Sequence, residues 1–317
     1  MNQYPTLFIG FADIAGKNFD GAYQQLLFQI SKLYQDHHYL LDCSYIDEDD
    51  KEIFRQLELA EAPRSIVIRA IGLLMRMMET YYQKSVILLI DDYDVPIVQA
   101  CQNGYFPEMY NVINEIMNTA LKDNPALKFA ILTGCLWLSG SSFFSRADLF
   151  TCNTISTPFP DEYFGFTLAD INLLLQKPKA QAKAETILSW YGGYHFGGHD
   201  VYCPANVMRY LKELQITPHT KPANALTILQ PFTSSMDISI KSKIEALLSG
   251  EYITENVGDP LPYHTLYSTE SNLWNYLYMM GYLTQAPVSD KKEASPNASM
   301  TLSVPNREAL EVLTTIF

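Results

Sequence analysis

Two periods of apolar residues alternate along the first 135 positions. Val86-Ile-Leu-Leu-Ile90 is an unbroken aliphatic run, and Lys128–Thr133 (Lys-Phe-Ala-Ile-Leu-Thr) is nearly one. Such runs suit strands of a parallel sheet covered by helices on both faces. A further strand is expected at 6–12. Between the strands the spacing changes to that of helices. Leu26, Leu27, Ile30 and Leu33 share one face of a helix over 20–39, and a short acidic helix is expected at 46–58. Ile66, Ile68, Ile71, Leu74, Met75 and Met78 line a helix over 65–82. Met109, Val112, Ile113, Ile116 and Met117 line another over 106–123. Strand–helix–strand units with crossovers of this length predict a parallel α/β sheet.

Beyond about residue 166 the pattern becomes mainly helical. Helices are expected over 168–190 with a break near Pro178, and over 205–214, 241–249 and 271–280. A strand pair, 282–286 with 300–304, flanks a polar loop at 289–299. The segment 190–204 is rich in glycine and aromatics. These changes predict a partial α/β core over 1–166 and a mainly helical domain with a small strand pair over 167–317.

Composition narrows the function classes. The chain has 317 residues, 48% hydrophobic and 18% charged, which describes a folded protein. Its net charge of −13 argues against a broad nucleic-acid-binding face, which needs clustered Lys and Arg. Five scattered cysteines without a C-x-x-C spacing predict free thiols rather than a disulfide framework or zinc site. No basic segment precedes an apolar stretch at the start, and no apolar run approaches a membrane span, so a cytoplasmic protein is expected.

The candidate chemistry lies at the end of the central strand. Asp91 and Asp92 follow Val86–Ile90 directly, at the sheet edge where open α/β folds bind ligands. A buried strand delivering carboxylates there is how P-loop nucleotidases hold Mg²⁺ and steer the attacking water. Asp94 and Pro96 are expected to shape the following turn. Other candidates are weaker. His195 and His199 have an i, i+4 spacing that suits a metal only on a helix, which Gly197-Gly198 opposes. Asp161, Glu162 and Asp170 read as a solvated edge beside packed aromatics. Ser139-Gly-Ser-Ser-Phe143 lacks the G-x-S-x-G frame of a nucleophile turn. Trp190, Tyr191, Tyr194, Phe196 and Tyr202 read as core rather than as a base-stacking platform.

Several runs, in order, resemble the AAA-ATPase-like domain family of anaerobic bacteria, often fused to a C-terminal PD-(D/E)XK nuclease-like domain. They are Val86–Ile97, Leu132-Thr-Gly-Cys-Leu136, Asp161-Glu-Tyr-Phe-Gly-Phe-Thr167, Trp190-Tyr-Gly-Gly-Tyr-His-Phe196, Val201-Tyr-Cys-Pro204, Asn272-Leu-Trp274 and Gly281-Tyr-Leu-Thr284. The resemblance implies a P-loop-nucleotidase-like core with ATP bound between core and helical domain. It implies Mg²⁺ at Asp91, a catalytic Asp92, and Thr133 and Gly134 at the nucleotide.

The departures predict a weakened site. No G-x-x-x-x-G-K-[ST] loop occurs in the chain; in the family it lies upstream of the segment matching residue 1, so the first strand and phosphate loop are expected to be missing, as is the nuclease-like domain. Asp92 stands for the family's Glu, one methylene shorter, which draws the carboxylate back by roughly 1–1.5 Å and can cost about 10²-fold in rate. Trp137 stands for an Arg that can stabilise phosphate charge. Gly192 stands for an Asp, and His195 is the basic residue after Tyr194. Very weak or absent ATP hydrolysis is therefore expected. The alternative is a protein–protein interaction module that binds no nucleotide and exposes an apolar edge where the first strand would pair.

Overall fold

A computed structural model describes residues 3–135, 151–157, 161–176, 183–216, 229, 237–257, 269–286 and 299–317. The chain divides into two compact units, Met1–Ser145 and Arg146–Phe317. Residues 160–167, where the sequence pattern changes, fall within the second unit.

In the first unit the described elements are β1 (Thr6–Gly10), α1 (Phe19–Asp36), a 3-10 turn (His38–Asp42), α2 (Glu48–Glu58), α3 (Arg64–Val67), α4 (Ala70–Tyr82), β2 (Val86–Asp91), α5 (Val95–Asn103), α6 (Phe106–Leu121) and β3 (Leu127–Leu132). The strands pair in parallel in the order β1-β2-β3. The general α/β architecture expected from the strand–helix alternation is present.

The register explains the burial. Leu7, Leu88 and Ala130 stand side by side, as do Ile9, Ile90 and Leu132. Leu7, Ile9, Val86, Leu88 and Ile90 are all buried on this face. Helices α1, α4 and α6 back β1, β2 and β3 in turn. Their apolar stripes, Leu26, Ile30 and Leu33 on α1 and Val112, Ile113 and Ile116 on α6, close the core. The N-cap of α1 is Asn18, whose side chain accepts from the Gly21 N–H at 2.9 Å.

The opposite face departs from expectation. Thr6, Phe8, Ile87, Leu89, Phe129 and Ile131 alternate with the buried set and share the other side. Phe8 is 57% exposed, Phe129 47% and Ile131 51%. Among the described residues α1, α4 and α6 cover one side of the sheet and no element covers the other.

Two other local differences have clear causes. The stretch expected as one helix over 65–82 is broken between α3 and α4 at Ile68-Arg69. The freed Ile68 carbonyl accepts from the Thr119 hydroxyl of α6 at 2.5 Å. Pro96, expected in a turn, lies in the first turn of α5, where a missing N–H costs nothing.

The second unit contains a 3-10 turn (Asp161–Phe164), α7 (Leu168–Leu175), α8 (Ala184–Tyr191), the antiparallel hairpin β4 (Tyr194–Phe196) and β5 (His199–Val201), α9 (Pro204–Glu213), α10 (Ile238–Leu248), β6 (Ile253–Glu255), α11 (Glu270–Met279), β7 (Thr284–Gln285), β8 (Met300–Ser303) and α12 (Arg307–Ile316). The expected strand pair is β7 with β8, antiparallel; β6 adds a third strand on the far side of β8. Pro178, Trp137, Ser139–Phe143 and most of the polar loop at 289–299 lie outside the described residues.

Ile171, Ile187, Tyr191, Tyr202, Val207 and Tyr210 form one core cluster here. The core role expected for Tyr191 and Tyr202 accords with this placement. Trp274, Tyr276, Leu277 and Tyr278 of α11 are also fully buried. Asn306 caps α12 by accepting from the Ala309 N–H at 3.0 Å, while its amide donates to the Gly192 carbonyl at 2.7 Å.

Candidate functional site

The carboxyl ends of the three strands bring the sequence-predicted acids together with a hydroxyl. Asp91 is the last residue of β2 and stands opposite Gly10 of β1. Its parity continues Ile87 and Leu89, so it lies at the margin of the uncovered face. Thr133 follows β3 with the parity of Phe129 and Ile131. The backbone binds the two strand ends tightly: Thr133 N–H donates to the Ile90 carbonyl at 2.9 Å, Tyr93 N–H to the Thr133 carbonyl at 3.1 Å, and Phe11 N–H to the Asp91 carbonyl at 2.9 Å.

Within this frame the Thr133 hydroxyl donates to Asp91 Oδ1, which also accepts from the Asp92 N–H at 3.1 Å. Both bonds use the same oxygen, leaving Asp91 Oδ2 open towards solvent. Thr133, expected at the nucleotide, thus fixes the orientation of the acid expected at the metal.

Asp92 is strained and electrostatically burdened. Its φ is 54°, a left-handed conformation that L residues seldom adopt. Burial, and then the neighbouring charge of Asp91, raises its pKa above the usual carboxylate value. A raised native pKa means that the folded state holds this proton more firmly than the unfolded chain. Stability from this group is therefore present below the unfolded carboxylate pKa and falls as pH rises through the native one. Asp92→Asn should stabilise the chain at pH 7 on the ~0.2–1 kcal/mol scale of partly exposed charge pairs. The gain should vanish at about pH 3, near the low end of the carboxylate range. Chemical denaturation of both proteins at the two pH values checks this; an equal gain at both would refute the electrostatic cause.

Asp94 has a different part. It is 2% exposed, and its Oδ2 accepts from the Cys135 N–H at 3.2 Å. Gly134 packs directly on it: a Cβ there would lie 2.6 Å from Asp94 Oδ1 and 2.8 Å from Tyr93 Cε1. Asp94 therefore holds the segment after β3 against the end of β2, which keeps Thr133 beside Asp91. Gly134 is required by this close approach.

The group implied by the resemblance, Mg²⁺ with ATP, fits this corner in part. Mg²⁺ is commonly held by one or two carboxylates together with substrate phosphates. Asp91 Oδ2 offers one such carboxylate oxygen. Among the described residues no cluster of three His, Cys, Asp or Glu side chains could hold a metal by itself.

Phosphate is served less well. The loop between β1 and α1 carries Gly16-Lys17-Asn18, giving the order strand, glycine, lysine, helix. Two of its polar groups are already engaged. Asn18 caps α1, the Gly16 carbonyl accepts from the Tyr105 hydroxyl at 2.9 Å, and a Gly16 Cβ would lie 2.4 Å from the Ala22 nitrogen. Gly16 is packed against the start of α1, and Asn18 stands where a phosphate loop would carry Ser or Thr.

Asp170 and His195 make local structural bonds. Asp170 forms a reciprocal capping box with Thr167, whose hydroxyl and N–H hold its carboxyl below the usual range. His195 and His199 lie on the two strands of a hairpin, and His195 Nδ1 pairs with Asp200 Oδ1 at 2.8 Å.

Comparison with known proteins places the first unit in context. Residues 1–144 match the family model AAA-ATPase_like, described as a predicted AAA-ATPase. A relative in Azotobacter chroococcum mcd 1, named "Uncharacterized protein in vnfD 5'region", is 27% identical over 229 residues, covering 67% of this chain and 39% of the relative. The chain thus spans about two fifths of that relative's length. No solved structure matches.

Proposed function

We propose that the first unit is the acidic half of an ATP site in an AAA-ATPase-like core, and that these 317 residues alone hydrolyse ATP very weakly or not at all. The carrying observation is the Thr133–Asp91 bond at the ends of two adjacent parallel strands, within the segment similar to that family. In this reading Asp91 holds Mg²⁺ through Oδ2, Thr133 keeps Asp91 oriented, Gly134 lines the nucleotide side and Asp92 orients water. The bound Mg²⁺ would supply charge neutralisation at the phosphates.

Weak turnover follows from what the residues leave undone. Phosphoryl transfer depends on positioning and on stabilising phosphate charge. No Gly-Lys-Ser/Thr loop stands in the 317 residues, and the Asn18 that follows Gly16-Lys17 caps α1. Phosphate release from Mg²⁺–ATP should be indistinguishable between the wild-type chain and Asp91→Asn. Mg²⁺-dependent turnover that Asp91→Asn abolishes would overturn the weak-hydrolysis claim.

A second reading, an interaction module without nucleotide, is favoured by the exposed apolar face of Phe8, Phe129 and Ile131. ATP discriminates the two. Under the first reading, Mg²⁺–ATP at 100 times Kd adds about 2.7 kcal/mol of stability. Under the second, millimolar Mg²⁺–ATP leaves Tm unchanged.

A further inference from the structure

Helix α4 ends in an aromatic corner. Tyr81 and Tyr82 are its last two residues, and Tyr39 of the 3-10 turn packs against both. The ring centroids lie 5.3 Å apart for Tyr39 and Tyr81, 6.4 Å for Tyr39 and Tyr82, and 4.9 Å for Tyr81 and Tyr82, at interplanar angles of 72°, 67° and 74°. Such contacts run edge to face, so no two ring faces are stacked on each other. The Tyr39 and Tyr82 hydroxyls hydrogen-bond at 2.9 Å, which fixes the cluster. It is nonetheless open, since Tyr81 and Tyr82 are each 43% exposed. Ordered tyrosines held at a surface are the side chains that anchor interfaces.

Charge selects the occupant. The electron-rich face of an aromatic ring attracts cations. Glu79 stands three residues before Tyr82 on the same side of α4, and Asp42 stands three residues after Tyr39 in a 3-10 turn, where i and i+3 eclipse. The C-terminus of α4 adds about half a negative charge, and its last turn has no basic residue. Gln83 follows with φ 52° and makes no backbone capping bond; its amide donates to the Thr80 carbonyl at 2.7 Å. The Glu79, Tyr81 and Tyr82 carbonyls accept no backbone bond among the described residues. The basic side chains near by are engaged elsewhere: Arg76 with Asp50 at 2.6 Å, His38 with Glu58 at 2.6 Å, and Lys84 with the Gln3 carbonyl at 3.0 Å. His37, 5.9 Å from the Tyr39 ring, has its Nδ1 2.8 Å from the Leu33 carbonyl. Among the described residues the cations that stand over rings are at Phe19, Tyr4 and Trp274, not here.

Hydrogen bonding separates the possible cations. A quaternary ammonium has no N–H for the open carbonyls, and a lysine ammonium is a strongly hydrated point charge. A guanidinium is planar, stacks on aromatic faces and carries five N–H donors. We propose that Tyr39, Tyr81 and Tyr82 anchor an arginine of a partner polypeptide, its guanidinium on the ring faces and its N–H groups donating to the open carbonyls at the end of α4. Tyr82 lies just before β2, whereas Asp91 ends that strand. The anchor is therefore at the other end of β2 from the acids and stands or falls apart from the nucleotide reading.

The probes are capped pentapeptides of glycine and serine with one central residue: arginine, lysine, citrulline or trimethyl-lysine. They are titrated into the full 317-residue chain carrying isotopically labelled tyrosine, and the aromatic NMR signals of Tyr39, Tyr81 and Tyr82 are followed. The arginine peptide should shift these three and bind about fivefold more tightly than the lysine peptide and about tenfold more tightly than the uncharged citrulline peptide. Tyr82→Leu should weaken arginine binding about fivefold, while Tyr82→Phe, which keeps the ring, should stay within about twofold of wild type. Both side chains sit at an exposed position, so both variants should keep the wild-type circular dichroism spectrum. Equal binding of the arginine and citrulline peptides, or arginine binding indifferent to Tyr82→Leu, would overturn the proposal. So would tighter binding of trimethyl-lysine, which would make the ligand a quaternary ammonium. A solution mass twice the 36.0 kDa of the chain that Tyr82→Leu returns to the monomer value would also overturn it, because a second copy would then occupy the corner.

Discussion

Gly193→Ala is expected to destabilise the second unit strongly. Gly193 has φ +82°, and a Cβ there would lie 2.0 Å from the Pro305 carbonyl oxygen and 2.9 Å from its carbon. The obstacle is backbone, which cannot swing aside as a side chain can. Pro305 is also held from the far side. Asn306 is tied to the Gly192 carbonyl, and Glu308, one turn into α12, accepts from the Asn206 amide at 2.6 Å. Any shift that relieves the clash breaks these bonds. The left-handed backbone costs a residue with a Cβ about 1–2 kcal/mol, and overpacking adds about 1–3 kcal/mol, so a loss of roughly 4 kcal/mol is expected. For a unit of this size each kcal/mol lowers Tm by about 2–4 °C. A melting curve should show the drop, and proteolysis should begin in the second unit; a Tm within about 2 °C of wild type would refute the account.

Trp274→Ala should cost about 3–5 kcal/mol, the range for emptying a buried aromatic site. Trp274 is fully buried, and its Nε1–H donates to Glu270 Oε1 at 3.1 Å. Lys243 Nζ donates to the same oxygen at 2.7 Å and stands 5.7 Å from the indole centroid. Packing and polar terms can be separated with Trp274→Phe, which keeps a ring and removes the donor. The Lys243 and Trp274 hydrogen bonds hold Glu270 below the usual carboxylate range, Lys243 contributing most and burial opposing. A lowered native pKa gives stability that is present at neutral pH and lost as pH falls through the native value. The deficit of Trp274→Phe should therefore narrow in acid, whereas that of Trp274→Ala should stay large because the cavity remains. Urea titrations at pH 7 and at about pH 3 measure both; a Trp274→Phe deficit that does not change with pH would remove the Nε1 hydrogen bond from the explanation.

Much of the first unit was legible because its signals are long. Val86–Ile90 cannot be read as surface, and the stripes on α1 and α6 repeat over several turns. The acidic strand end was legible too, since Asp91 and Thr133 each follow an apolar run. Their mutual bond was not, because it joins residues 42 apart through register alone. Short elements were missed for the same reason. The strands β4, β5 and β6 have three residues each, too few for alternation to register. Pro96 misled because proline marks both turns and first helical turns. The residues state that both sides of β2 are apolar, but only the packed structure shows which side carries α1, α4 and α6.

The pairing of β1 with β2 bears on how this chain is made. Thr6 pairs with Ile87, so about 80 residues must be synthesised before β1 can meet its neighbour. At 5–20 residues per second that is a wait of roughly 4–16 s, long against the microseconds of helix formation. During it, Leu7 and Ile9 stand without the β2 residues, Leu88 and Ile90, that later lie beside them. The apolar residues of β1 therefore stay unpaired with β2 for longer than those of a strand in a hairpin.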